Sequence, residues 1–385
     1  MKPLRILHAP TSAGGNPQAL SRSLCQLGLD SQSLVVSQNY LAYEADIVLH
    51  RPGQSFFMRE LKRLWAIATL IPRYEVIHYN AGTTIASAYA LEFRGRDGLP
   101  SLVRQVYAAY LRLLQRIELA YVRCLGKLVF VTYQGDDARQ GDYSLKHFSV
   151  SIATQVSPDY YCSTSDDFKR RSIAVMDRLA LEIYAVNPDL LHVLPGRARF
   201  MPYGHIFLEE WVPRYSQDHS GPLRIVHAPS HRKVKGTDII LAALDHLKAQ
   251  GFSFELSLVE GLSNAEARKV YESSDVLIDQ LFAGWYGGLA VELMALGKPV
   301  LVYIREEDVQ FIPNDMKIDL PFLQVTPDTV EDALRKVLEM SRADLVVLGK
   351  KSRAFVERWH DPLCVAATIK ADYDRAWQQR KKDKK

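Results

Sequence analysis

The sequence is poor in cysteine, and the four it has, Cys25, Cys124, Cys162 and Cys364, form no C-x-x-C pair and stand near no histidine set. That argues against a zinc site or a disulfide framework and for a reduced compartment, so a cytoplasmic location is expected. No uncharged run reaches the roughly 18 residues a membrane span requires. Met1-Lys2-Pro3-Leu4-Arg5 runs straight into a strand pattern without an apolar stretch, and no signal peptide is expected. G-x-G-x-x-G is missing at both Gly14-Gly15 and the loop at Gly284, which disfavours a dinucleotide enzyme. A net charge of only +4, with no recognition motif, disfavours nucleic acid as a partner.

What is present is enough chain for two cores. At 385 residues, two domains of roughly 150 to 200 residues each are the default expectation. A near-repeat supports that division: Pro-Leu-Arg-Ile-Leu-His-Ala-Pro at Pro3–Pro10 and Pro-Leu-Arg-Ile-Val-His-Ala-Pro at Pro222–Pro229. Each copy reads as a strand buried on both faces and ended by proline, with His8 and His227 read as structural histidines at the strand ends. Short apolar runs alternate with helical patterns on either side of a turn-rich stretch between Pro202 and Pro222. Such alternation predicts parallel sheets covered by helices, with ligands at the carboxyl ends of the strands. Asn16 before Pro17 is read as an N-cap.

Two segments carry chemistry. Ser230 to Gly236 places several cations between a strand and a helix start, which suits a bound phosphate. Asp279 to Val300 places Gly287 and Gly288 at a helix start, where free backbone N–H groups can face an anion. In that same segment Glu292 stands one turn into the helix, where it can accept from sugar hydroxyls, and Gly297 closes the helix.

The second segment resembles the signature of the retaining glycosyltransferases of family 4, the "group 1" set, with Tyr286, Gly287, Glu292, Met294, Ala295, Gly297, Lys298, Pro299 and Val300 in register. Lys235-Gly236, Gly14-Gly15, Val186 to Leu190, Gly135 to Arg139 and Arg353 to Trp359 extend the likeness over most of the chain. The resemblance implies a GT-B fold, an α/β architecture of two Rossmann-like domains facing across a cleft. An acceptor domain would occupy residues 1–205, a nucleotide-sugar donor domain 206–361, and a helix at about 362–380 would return to the first domain. It further implies that Lys235 and a neighbouring cation, Arg232, stabilise the leaving diphosphate. Gly14, Gly15, Gly287, Gly288 and Glu292 would bind the donor, and no cofactor or metal is implied beyond the donor substrate itself.

Three positions depart from the pattern: Gly284 stands where the family has its first glutamate, Ser230 where it has an arginine, and Gln134 where it has a histidine. Strand-end polarity makes His78, Asn80, Gln134, Asp136, Asp137 and Arg139 acceptor-side candidates. The expected activity is transfer of a sugar, with retention, to a glycan or lipid-linked acceptor in cell-surface polysaccharide assembly. The rivals are a nucleotide-sugar epimerase of the same fold and a catalytically silent nucleotide- or glycan-binding protein. Arg59, Lys62, Arg63 and Arg73 flank one apolar stretch, Arg104, Arg112, Arg116 and Arg123 lie in a helical pattern from Leu102 to Cys124, and the chain ends in a Lys381–Lys385 tail. This charge suits peripheral contact with an anionic membrane, the alternative being a packed helix with a solvated basic face.

Overall fold

A computed structural model describes residues 3–39, 41–88, 101–216 and 221–383. Strands β1 (Arg5–Ala9), β2 (Asp30–Ser37), β3 (Ile47–His50), β4 (Val76–Asn80), β5 (Leu128–Tyr133), β6 (Glu182–Ala185) and β7 (Arg199–Phe200) form one parallel sheet in the order 3-2-1-4-5-6-7. Strands β8 (Leu223–His227), β9 (Phe254–Leu258), β10 (Val276–Ile278), β11 (Val300–Val302) and β12 (Leu323–Gln324) form a second, in the order 12-11-10-8-9. Helices α1 (Asn16–Gln26), α2 (Phe56–Trp65), α3 (Ser101–Cys124), α4 (Gly141–His147) and α5 (Ser163–Leu179) serve the first sheet. The remainder are α6 (Arg232–Lys235), α7 (Thr237–Ala249), α8 (Asn264–Ser273), α9 (Gly288–Ala295), α10 (Asn314–Asp319), α11 (Val330–Glu339), α12 (Arg342–Trp359) and α13 (Pro362–Asp383).

The twin segments are the first strands of the two sheets, β1 and β8. Their apolar residues Ile6, Leu7, Ile225 and Val226 are fully buried, as strands covered on both faces must be. In each sheet the order reverses direction beside this strand: β1 lies between β2 and β4, β8 between β9 and β10. Such switch points open a crevice at the carboxyl ends, and the loops after β1, β4, β8 and β10 therefore form the floors of two facing sites.

The last helix, α13, lies against α1 and β5 of the first sheet. Tyr373 of α13 packs edge-on to Phe130, with ring centroids 4.6 Å apart, and Tyr184 donates to Asp372 at 2.7 Å. At the start of α1 the structure corrects one expectation. Gly15, in the left-handed region, is the N-cap and Asn16 is already helical. The Asn16 side chain instead donates to Gln134 at 3.4 Å and accepts from the Gly204 backbone at 3.3 Å, tying the glycine loop to the chain that leads into the second sheet. No helix among the described residues is long and apolar enough to cross a membrane.

Candidate functional site

On the second sheet, the loops after β8 and β10 meet in one knot. Lys235, at the end of α6, donates to Asp279 Oδ1 at 2.7 Å, and the other oxygen of that carboxylate accepts from the Gly287 N–H at 2.9 Å. Asp279 is wholly buried, so its charge is tolerable only with these partners. The Gly287 N–H is therefore engaged within the protein, and an outside anion would have to displace the Asp279 carboxylate to reach it. Arg232 stands apart from the knot, exposed at the rim, where it pairs with Glu260 at 2.6 Å.

One turn into α9, Glu292 is buried and accepts from Asn264 at 2.9 Å and from the Tyr43 hydroxyl at 3.4 Å. Burial, only partly offset by those two hydrogen bonds, pushes its carboxyl up to about 7. Tyr43 belongs to the first domain, so the contact closes across the cleft. Its ring also lies where a side chain at Gly15 would start, 2.8 Å from that Cβ position, and Gly15 has φ +77°, so a larger residue is excluded on both counts. Gly14 is less confined, with Asn16 as the nearest group at 3.8 Å. Gly15, Tyr43, Asn264 and Glu292 share a cavity of about 720 Å³ with His205.

His205 was not singled out by the sequence, because it stands in the aperiodic connecting stretch. Its side chain is 3% exposed, neither ring nitrogen has a hydrogen-bond partner among the described residues, and Nε2 lies 3.9 Å from Glu292. The ring rests against the start of α9, 3.2 Å from the Cβ position of Gly288. Burial, reinforced by His360, holds it down to about 3, so it is a neutral imidazole.

Gly284 has a definite neighbour. A side chain there would run into the Arg305 guanidinium, and φ is +78°. Arg305 is buried, donates to Asp308 at 2.8 Å and to the Val150 carbonyl at 2.9 Å, and its backbone N–H donates to the Gly284 carbonyl at 2.8 Å. The glutamate of the resembling family has no room in this backbone.

The first sheet's switch point carries a second cavity, also about 720 Å³, lined by Gln134, Asp136 and Asp137 together with His50, Arg63 and Tyr107. The two adjacent carboxylates are pulled apart. Burial would raise both, but Arg139 at 2.8 Å and the hydroxyls of Tyr160 and Tyr161 hold Asp136 down to about 2. For Asp137 burial prevails over the backbone N–H groups of Gln134 and Gly135, and the carboxyl is raised to about 6. Gln134 Nε2 is buried beside them without a partner among the described residues. Arg139 supports the pair from behind, bridging Asp136 and Asp189, the latter at 2.7 Å.

His78 and Asn80 do not join this cavity. His78 is fully buried, with Nδ1 on the Tyr373 hydroxyl at 2.5 Å and Nε2 on Thr132 at 2.7 Å, so its ring faces α13. Asn80 is buried and donates to the His78 carbonyl at 3.2 Å. Residue parity along β4 turns these side chains into the helix layer.

No protein-family model and no curated protein matches the chain significantly. Solved structures do. Sucrose-phosphate synthase from Thermosynechococcus elongatus is 16% identical at a TM-score of 0.60, over 98% of this chain and 100% of that one. The catalytic domain of starch synthase IV from Arabidopsis thaliana, solved with ADP and acarbose, is 12% identical at 0.60, over 97% and 99%. Anabaena HepE, solved with UDP-glucose, is 11% identical at 0.56, over 97% and 100%. The chain has the GT-B fold. Its two parallel-sheet domains face each other as in those glycosyltransferases, and the knot at Lys235 and the cavity at Asp137 stand on opposite switch points of that fold.

Proposed function

We propose that the protein is a retaining glycosyltransferase that moves a sugar from a nucleoside-diphosphate sugar to a hydroxyl of a glycan or lipid-linked acceptor, in the assembly of a cell-surface polysaccharide. The observation that carries this reading is the knot of Lys235, Asp279 and Gly287 at the second switch point, with Glu292 one turn away. A diphosphate seated there takes Lys235 and the N–H groups at the start of α9, with Arg232 at the rim as the further cation. Glu292 and Asn264 take the ribose hydroxyls in place of Tyr43, and Gly14-Gly15 form the opposite wall.

The chemistry follows from charge. The bond from the anomeric carbon to the phosphate oxygen breaks with its electron pair going to the departing diphosphate, whose growing negative charge is met by Lys235 and the backbone N–H groups. The acceptor oxygen forms its bond to the same face of that carbon and gives its proton to the departing phosphate oxygen. Asp137, raised towards neutrality, and Gln134 Nε2 orient that hydroxyl beforehand.

A thermal-shift panel of UDP, GDP, ADP and their sugars tests the reading. At a nucleotide concentration of 100 times Kd the expected stabilisation is about 2.7 kcal/mol, abolished in Lys235→Ala and Glu292→Ala. Stabilisation by none of them overturns the reading, and turnover of a nucleotide-sugar without any acceptor assigns an epimerase instead.

A further inference from the structure

We propose that α2 and α3 form a docking face for an anionic lipid bilayer, from which a lipid-linked acceptor reaches the cavity at Asp137; its second half rests on the glycosyltransferase reading. Helix α2 turns Phe57, Leu61 and Trp65 outward, and α3 does the same with Val106, Leu113 and Ile117. Phe57 is 75% and Val106 63% exposed, whereas Ala108, Leu111 and Leu114 on the other side of α3 are buried. The two helices adjoin: Phe56 meets Tyr107 edge-on with centroids 5.0 Å apart, and the Tyr107 hydroxyl donates to Glu60 at 2.5 Å. Their exposed faces therefore belong to one surface, whose apolar part follows α3 from Val106 to Ile117 for about 17 Å at 1.5 Å per residue.

Charge selects the occupant. The acidic residues of the two helices are Glu60 and Glu118, and both are buried. Among the described residues of these helices the exposed charged side chains are all arginines, Arg59, Arg116 and Arg123 among them. A second copy of the chain seated symmetrically on this face would oppose those arginines to themselves with no exposed carboxylate on either helix to pair them. A bilayer bearing lipid phosphates satisfies both features, since apolar side chains enter the acyl boundary while arginines meet the headgroups. Arg63 and Tyr107, on the inner sides of these helices, line the cavity that holds Asp137, so docking sets its mouth at the membrane surface.

Co-sedimentation of the full chain with vesicles of phosphatidylcholine, with and without one quarter phosphatidylglycerol, tests the proposal. The chain is expected to pellet with the anionic vesicles, and raising salt to 1 M is expected to release a large part of it. Phe57→Ser/Leu61→Ser/Trp65→Ser and, separately, Arg116→Glu/Arg123→Glu are each expected to lose about tenfold or more in partitioning, since each basic residue near the surface contributes about 1 kcal/mol. Because all five side chains are exposed, melting temperatures and the nucleotide-induced shift should stay as in the unaltered chain. Retention in the supernatant, or unchanged pelleting of both variants, overturns the docking face. So does light scattering that shows a dimer which the serine variant converts to monomer. The nucleotide shift is read without vesicles, so its loss counts against the glycosyltransferase reading alone.

Discussion

Glu292→Gln should uncouple stability from pH in a calculable way. In the folded chain the Glu292 carboxyl is raised from 4.5 to about 7 because burial outweighs the hydrogen bonds from Asn264 and Tyr43 and the charge of Arg268. A raised carboxyl holds its proton more tightly folded than unfolded. Its contribution is therefore intact below the unfolded value of 4.5 and is lost as pH rises to about 7. At 1.36 kcal/mol per unit the full loss is about 3 kcal/mol, of which about 2.5 kcal/mol falls between pH 5 and pH 8. Glutamine is neutral throughout and keeps an oxygen for Asn264 and Tyr43. The melting temperature of Glu292→Gln relative to the unaltered chain should thus rise by roughly 5 to 10 °C between pH 5 and pH 8 for a unit the size of the second domain. Melts of both proteins in matched buffers measure it. A difference that does not change with pH refutes the argument that Glu292 is a desolvated acid poised near neutrality.

Lys235→Ala should destabilise the chain by about 3 to 5 kcal/mol, because it strands a buried Asp279, and Lys235→Ala/Asp279→Asn should recover most of that in denaturant titrations. Asp137→Asn should lower turnover of a nucleotide-sugar with its acceptor by about tenfold to a thousandfold while leaving the nucleotide-induced thermal shift unchanged, as expected of a group on the opposite wall. Gly284→Glu, which restores the residue of the resembling family, should cost more than about 2 kcal/mol rather than add activity, since it meets Arg305 in a left-handed backbone; Arg305→Ala should relieve part of that in the double variant.

Much of this architecture is legible in the sequence because its determinants are local. The twin strand segments, the glycine-started helix α9 and the basic loop before Gly236 each announce a strand end, and parallel-sheet topology then brings those ends together. The contacts that complete the site are not local. Tyr43 reaches Glu292 from 249 residues away, and Tyr373 draws the His78 ring into the helix layer from 295 residues away. No periodicity marks either event. The Asn16-Pro17 pair illustrates a subtler failure: it has the composition of a cap, but the polar side chain found better partners in Gln134 and Gly204. Gly284 carried a signal that could be read only in part. A glycine in place of a glutamate says that a side chain is missing, and only the fold shows that Arg305 occupies its place.

Whether the knot at Lys235 seats a diphosphate is tested by a crystal structure of the chain with UDP or with the nucleotide that stabilises it most. The diphosphate oxygens are expected within hydrogen-bond distance of Lys235 Nζ and of the N–H groups at the start of α9, with the ribose hydroxyls on Glu292. A nucleotide bound elsewhere, with Lys235 still paired to Asp279 and Glu292 untouched, contradicts it.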